Sequence, residues 1–115
     1  MARLSSMGML TIVGDNLSND ITIKVTPGLV TITGNGGTLV NGRLAVTSPG
    51  VVNAIQASMN GGDDTISIDP TSDFMIPGVV AIALGSGNNN LNFNTSGKIS
   101  LGALGVAGGS GDDTV

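Results

Sequence analysis

Two pairs of adjacent aspartates are the residues of this chain best suited to chemistry. Asp63 and Asp64 form one pair, and Asp112 and Asp113 form the other; each pair follows glycine-rich sequence and precedes a Thr and an apolar residue. Carboxylates, together with backbone carbonyls exposed at a glycine turn, are the oxygen ligands that Ca²⁺ prefers. These four aspartates are therefore the candidate calcium ligands.

The spacing of the pairs limits such a site. Asn88 and Asn89 occupy the corresponding turn between them. Since neighbouring strands lie about 4.8 Å apart, Asp64 and Asp113 would be roughly 10 Å apart and could not share one ion. A site would need one aspartate pair with an amide oxygen of the middle turn, or the second pair with ligands beyond Val115. In the alternative interpretation, Asn and Asp stand here because they tolerate left-handed backbone angles, bond turn amides and stack in ladders.

Other chemistry is restricted by the residues that the chain lacks. It has no His and no Cys, which excludes an imidazole triad and thiol-ligated metals. With 4 Lys and Arg and a net charge of −4, we expect no nucleic-acid partner. A further alternative is that the chain is a remnant of a carbohydrate-acting β-helix, with carboxylates at Asp64, Asp69 and Asp73. The segment 69–73 is more simply a corner between strands. We predict that the protein is not an enzyme and needs no cofactor other than this candidate calcium.

A recurring strand–turn–strand pattern positions these turns. Apolar residues alternate on both sides of each turn, which is typical of strands with one buried face. Four segments align on the apolar residue that follows each turn. These anchors are Ile21, Ile66, Leu91 and Val115. The segments are residues 9–23, 54–68, 79–93 and 103–115.

The spacing of the anchors predicts the fold. Ile66 and Leu91 are 25 residues apart, and Leu91 and Val115 are 24 apart. Phe74 and Ile76 recur as Ile99 and Leu101, which indicates a third strand in each repeat. Three strands and three turns predict an all-β, right-handed parallel β-helix, or β-solenoid, with about 24–25 residues per coil. We expect one domain over residues 1–115, with regular coils over 54–115.

Residues 1–53 are predicted to be irregular and to contain hairpins. The interval from Ile21 to Ile66 is 45 residues, too long for one coil and too short for two. Turns are predicted at residues 26–28, where Thr26-Pro27-Gly28 stands between two apolar-alternating runs, and at Asn41-Gly42.

One turn resembles a known repeat. The sequence GGSGDDTV at 108–115 fits the nonapeptide of the haemolysin-type (RTX) calcium-binding repeats over eight positions. MNGGDDTIS at 59–67 fits partly, and LGSGNNNLN at 84–92 has Asn89 where the aspartate belongs. The chain is similar to repeat segments of large secreted or surface proteins of bacteria. That resemblance implies an extracellular or cell-surface β-solenoid, although no signal peptide is visible.

These observations together predict a structural role. We expect a non-enzymatic repeat module of an extracellular or cell-surface assembly, acting as a fibre, spacer or matrix element; a calcium-binding RTX-like module is the alternative. Because Val115 falls inside a strand, we expect self-association or continuation into a longer solenoid. No membrane insertion is expected. Eight residues are predicted to point inward: Ile12, Ile55, Ile66, Ile68, Val80, Leu91, Phe93 and Leu104.

Overall fold

The computed structural model describes residues 1–26, 28–69, 74–94 and 98–115. Pro27 of the predicted hairpin turn and most of the predicted corner at 69–73 lie outside these residues. The described chain forms ten β-strands: β1 (Ala2–Leu4), β2 (Met9–Val13), β3 (Asp20–Thr26), β4 (Leu29–Gly34), β5 (Ala45–Pro49), β6 (Ala54–Ser58), β7 (Thr65–Ile68), β8 (Phe74–Ala83), β9 (Asn90–Phe93) and β10 (Ile99–Ala107).

The strands assemble into two five-stranded sheets. The first sheet has the order β1-β2-β6-β8-β10, and the second has the order β5-β4-β3-β7-β9. Pairing is parallel from β2 to β10 and from β3 to β9, whereas β1–β2, β3–β4 and β4–β5 are antiparallel. The Asn/Asp-rich turns carry the chain from the first sheet to the second, from β2 to β3, β6 to β7 and β8 to β9.

The prediction of a right-handed parallel β-helix is wrong. The molecule is a compact body of 33 × 28 × 25 Å built from two mixed sheets. Phe74 and Ile76, expected in a separate third strand, lie in the same strand as Val80. The register with β10 shifts by one residue around Pro77 and Gly78, so β8 continues from Ile76 to Val79 through a bulge. Because these residues form one strand, the expected third side does not form.

The alignment of the four segments is nevertheless confirmed as strand register. Leu10 pairs with Ile55, Ile55 with Val80, and Val80 with Leu104. In the second sheet the anchors Ile21, Ile66 and Leu91 pair in the same way. The prediction that the fourth anchor, Val115, falls inside a strand is wrong, since only the isolated bridge between Asn90 and Thr114 forms there.

Both predicted hairpin turns also join paired strands or bridged residues. Thr26 pairs with Leu29 across the first turn. At the second, Val40 bridges Arg43 around Asn41 and Gly42, which have φ angles of 53° and 75°. Such left-handed angles are those that Asn-Gly turns require.

The core lies between the two sheets and is almost entirely aliphatic. Six of the eight residues predicted to point inward are buried: Ile12, Ile55, Ile66, Ile68, Val80 and Leu91. Phe93 is partly buried against the core. Leu104 pairs with the buried Val80 but is itself 49% exposed. β10 is an edge strand, so only β8 lies beside it among the described strands. Val80, in contrast, lies in a strand with neighbours on both sides, β6 and β10.

Candidate functional site

The polar residues of the four turns form two ladders that run across the molecule. The inner ladder consists of Asn19, Asp64, Asn89 and Asp113, and the outer ladder consists of Ser18, Asp63, Asn88 and Asp112. Asp64 and Asn89 are 0% and 2% exposed, whereas the outer residues are exposed. Each inner member immediately precedes the residue that pairs in the second sheet, and each outer member stands two positions before that residue.

In the inner ladder each side chain accepts from the turn before it. The Asn19 N–H donates to Asp64 Oδ1 at 2.8 Å, and the Asp64 N–H donates to Asn89 Oδ1 at 2.8 Å. The Asn89 N–H donates to Asp113 Oδ1 at 3.2 Å. Every one of these side-chain oxygens thus satisfies a backbone donor in a neighbouring turn.

In the outer ladder the direction is reversed. The Asp63 N–H donates to Ser18 Oγ at 3.1 Å, and the Asn88 N–H donates to Asp63 Oδ1 at 2.8 Å. The Asp112 N–H donates to Asn88 Oδ1 at 2.9 Å. Adjacent turns are therefore joined by two side-chain bonds of opposite sense.

Glycine allows the turns to stack this closely. Gly85 has a φ of 81°, and a Cβ built there would collide with the carbonyl oxygen of Asn60 in the preceding turn. Gly87 has a φ of 110° and would meet the Gly62 carbonyl in the same way. Both the left-handed angle and the close backbone approach require glycine at these positions.

The amide groups of the inner asparagines also close their own turns. Asn89 Nδ2 donates to the Gly87 carbonyl at 3.2 Å and to Asp113 Oδ1 at 2.9 Å. Asn19 Nδ2 donates to the Leu17 carbonyl at 2.8 Å and to Asp64 Oδ1 at 3.2 Å. Asn89 thus uses both its donor and its acceptor atoms, because its Oδ1 also accepts the Asp64 N–H.

Asp64 occupies the equivalent position without an amide group. Its Oδ2 atom is buried and has no hydrogen-bond partner among the described residues. Burial raises the pKa of this carboxyl above its ordinary value, with smaller contributions in the same direction from Asp15 and Asp63; the bonds from Asn19 oppose the rise. Asp64 is therefore a buried carboxylate with one oxygen that no hydrogen bond of the described turns satisfies.

Asp15 is a polar residue of the first turn that sequence reasoning missed. Its Oδ1 accepts the Leu17 N–H at 2.9 Å and Asn19 Nδ2 at 3.2 Å. These bonds, the one from Leu17 first, lower the pKa of the exposed Asp15 carboxyl. The signal for this residue was local, since Asp commonly bonds the N–H two positions later at a turn.

The candidate calcium ligands are placed by the ladders in two separate turns. Asn88 and Asn89 lie between Asp63-Asp64 and Asp112-Asp113, as the spacing predicted. One oxygen of Asp63, Asp64 and Asp113 already accepts an N–H. Within the described residues no three acidic, His or Cys side chains are grouped to hold a metal ion. Asp73 of the carbohydrate alternative lies outside the described residues, so that alternative stays a prediction.

No protein-family model, curated protein or solved structure matches this chain. The resemblance to RTX repeats therefore rests on the turn residues alone. Within the described residues no helix is long and apolar enough to cross a membrane. The two-sheet fold corrects the expectation of a solenoid, and nothing in it supports the expected filament or extracellular role.

Proposed function

We propose that the protein is a non-enzymatic structural building block that joins other β-structured polypeptide through one edge of its sheets. The observation that carries this proposal is the pair of ladders. The side chains best suited to chemistry, including Asp64 and Asn89, accept backbone N–H groups of neighbouring turns. Groups engaged in this way stabilise the stacking of turns, because buried N–H groups need an acceptor.

The two ends of the first sheet support a role in association. At one end β1 has three residues, and at the corresponding end of the second sheet β5 finishes at Pro49. Short edge strands and edge prolines discourage pairing with other chains. At the other end β10 has nine residues, none of them charged, and pairs only with β8 among the described strands. An edge of this kind favours the addition of another strand.

Self-association is the simplest form of such joining, and sedimentation velocity tests it. We expect the weight-average sedimentation coefficient of the parent chain to rise with concentration. Leu104→Lys places a charge on the half-exposed inward side of β10 and should prevent the rise. Leu44→Lys changes a residue that is 73% exposed and lies outside β10, and serves as the matched control. A parent chain that stays monomeric at every concentration would contradict self-association.

A second candidate function, calcium binding, is favoured by one observation, the buried Oδ2 of Asp64 without a partner. A bound cation would satisfy this oxygen, and Ca²⁺ binds carboxylate oxygens together with backbone carbonyls. Ligand that binds the folded state raises the thermal midpoint by mass action. Calcium should therefore raise the midpoint of the parent and of Asp112→Asn, but not that of Asp64→Asn. Equal midpoints with CaCl₂ and with a chelator would reject this candidate.

A further inference from the structure

We propose that the β10 end of the molecule binds a strand–turn–strand segment of another polypeptide whose turn carries two consecutive neutral residues, Asn-Asn. This inference rests on the proposed structural role and specifies the partner. The occupied turns inside the molecule define the hydrogen bonds that such a segment would make.

The turn at Asn88 and Asn89 shows how one turn receives the next. Asn88 Oδ1 accepts the N–H of Asp112, and the Asn89 N–H donates to Asp113 Oδ1. In this structure the last ladder residues are Asp112 and Asp113, which occupy the positions equivalent to Asn88 and Asn89. A carboxylate oxygen of Asp112 and the N–H of Asp113 are the atoms that would continue the two ladders. A partner segment must therefore supply an N–H from one residue and a side-chain oxygen from the following residue.

The order of charges within the ladders specifies neutral residues in the partner. Along the inner ladder the sequence is Asn19, Asp64, Asn89, Asp113, and along the outer ladder it is Ser18, Asp63, Asn88, Asp112. In both ladders no carboxylate is adjacent to another carboxylate. Neighbouring strands are about 4.8 Å apart, a distance at which like charges repel substantially. An Asn-Asn turn continues the alternation after Asp112 and Asp113, whereas an Asp-Asp turn breaks it.

The inward side of β10 specifies the strand that precedes the turn. Val80 and Ile82 of β8 are 0% and 2% exposed because β10 lies beside them. Their partners in β10, Leu104 and Val106, remain half-exposed and partly buried. A strand with alternating apolar residues would cover these two side chains and remove apolar surface from water.

A synthetic peptide with the sequence of residues 79–93 has the required pattern and is the probe. Titrated into the full chain, it should bind saturably and shift the backbone amide resonances of residues 99–115. The control peptide differs only in having aspartate at the positions of Asn88 and Asn89. At neutral pH and low salt we expect it to bind about tenfold more weakly, and the difference should shrink at high salt.

A double variant of the protein provides the second arm. Asp112→Asn with Asp113→Asn keeps the side-chain oxygens but removes both charges, so the two peptides should bind this variant equally well. Absence of saturable binding by the Asn-Asn peptide would overturn the proposal, as would equal affinity of the two peptides for the parent or shifts confined to the β1 end. Peptide binding to a parent chain that stays monomeric would reject self-association while supporting this inference.

Discussion

The carboxyl group of Asp64 lies where an amide would be better hydrogen-bonded. Asn89, at the equivalent position of the next turn, donates through Nδ2 to the Gly87 carbonyl. The corresponding atom of Asp64 is the buried Oδ2 without a described partner. A buried charge without sufficient compensation destabilises the folded state.

We therefore expect Asp64→Asn to stabilise the protein. The variant retains an oxygen for the Asn19 N–H and adds a donor, so the free energy of unfolding at neutral pH should rise by about 1 kcal/mol. Urea denaturation measures the change. Asp63→Asn, at the exposed position next to it, should alter stability by less than about 0.5 kcal/mol. A loss of stability in Asp64→Asn would contradict this account and would favour a bound cation.

The benefit of Asp64→Asn should depend on pH. The pKa of the Asp64 carboxyl is raised in the folded state from an ordinary value of 3.8. A raised pKa favours the protonated folded state, so this stabilisation is present below pH 3.8 and is lost as the pH rises through the folded pKa. Thermal midpoints from pH 3 to pH 8 should show the smallest difference between variant and parent at the acid end. A constant difference would be inconsistent with titration of Asp64.

Asn89 should be the ladder residue most sensitive to truncation. Its side chain accepts the Asp64 N–H and donates to Gly87 and Asp113. Asn89→Ala leaves a buried N–H unsatisfied, so unfolding free energy should fall by about 2–3 kcal/mol. Asn88→Ala, in the exposed outer ladder, should cost less than half as much. Equal losses in the two variants, measured by urea denaturation, would show that burial does not govern the strength of the ladders.

At the scale of elements, β1 is held by a side chain from a distant turn. Asn41 Oδ1 accepts the Ala2 N–H at 2.9 Å, and Asn41 Nδ2 donates to the Ala2 carbonyl at 2.8 Å. Asn41→Ala removes both bonds and should speed amide hydrogen exchange in β1 and β2. Exchange in β7 and β9 should not change, and Arg43→Ala in the same turn provides the control. Unchanged exchange in β1 would mean that its pairing with β2 alone holds it.

The sequence predicts strands well because alternation of apolar residues is a local property. Strand register was also predictable, since Ile55 and Val80 occupy the same position relative to their turns. The number of sheets was not, because Pro-Gly is a local turn signal and yet Pro77-Gly78 lies in a bulge within β8. A bulge and a turn differ in their tertiary surroundings, here the bond from the Gly78 N–H to the Asn53 carbonyl at 2.8 Å.

The ladders were only partly predictable for a related reason. The Asn and Asp positions of the turns follow from the alignment, but the bonds between Asn19 and Asp64 join residues 45 positions apart. That interval is long because β4 and β5 are inserted between β3 and β6. Burial of Leu104 depends likewise on a neighbouring strand rather than on its own sequence.

For the whole molecule, both sheets depend on one shared core. Leu91 is 1% exposed and belongs to the same buried cluster as Leu10 of the first sheet. Leu91→Asp would bury an unpaired charge there, so we expect a loss of at least about 3 kcal/mol and collapse of both sheets together. Far-ultraviolet circular dichroism and amide chemical-shift dispersion would report it. Leu44→Asp, at a 73% exposed position, should remain folded. A folded Leu91→Asp protein would contradict the shared core.

The opposite directions of the two ladders have a mechanical consequence. Where the turn at Asp63 and Asp64 meets the turn at Asn88 and Asn89, the ladder side chains accept one N–H from each turn. The Asn90 N–H also donates to the Asp64 carbonyl at 2.8 Å. Separating the two turns therefore breaks side-chain bonds of both directions together with backbone bonds, whichever turn is pulled.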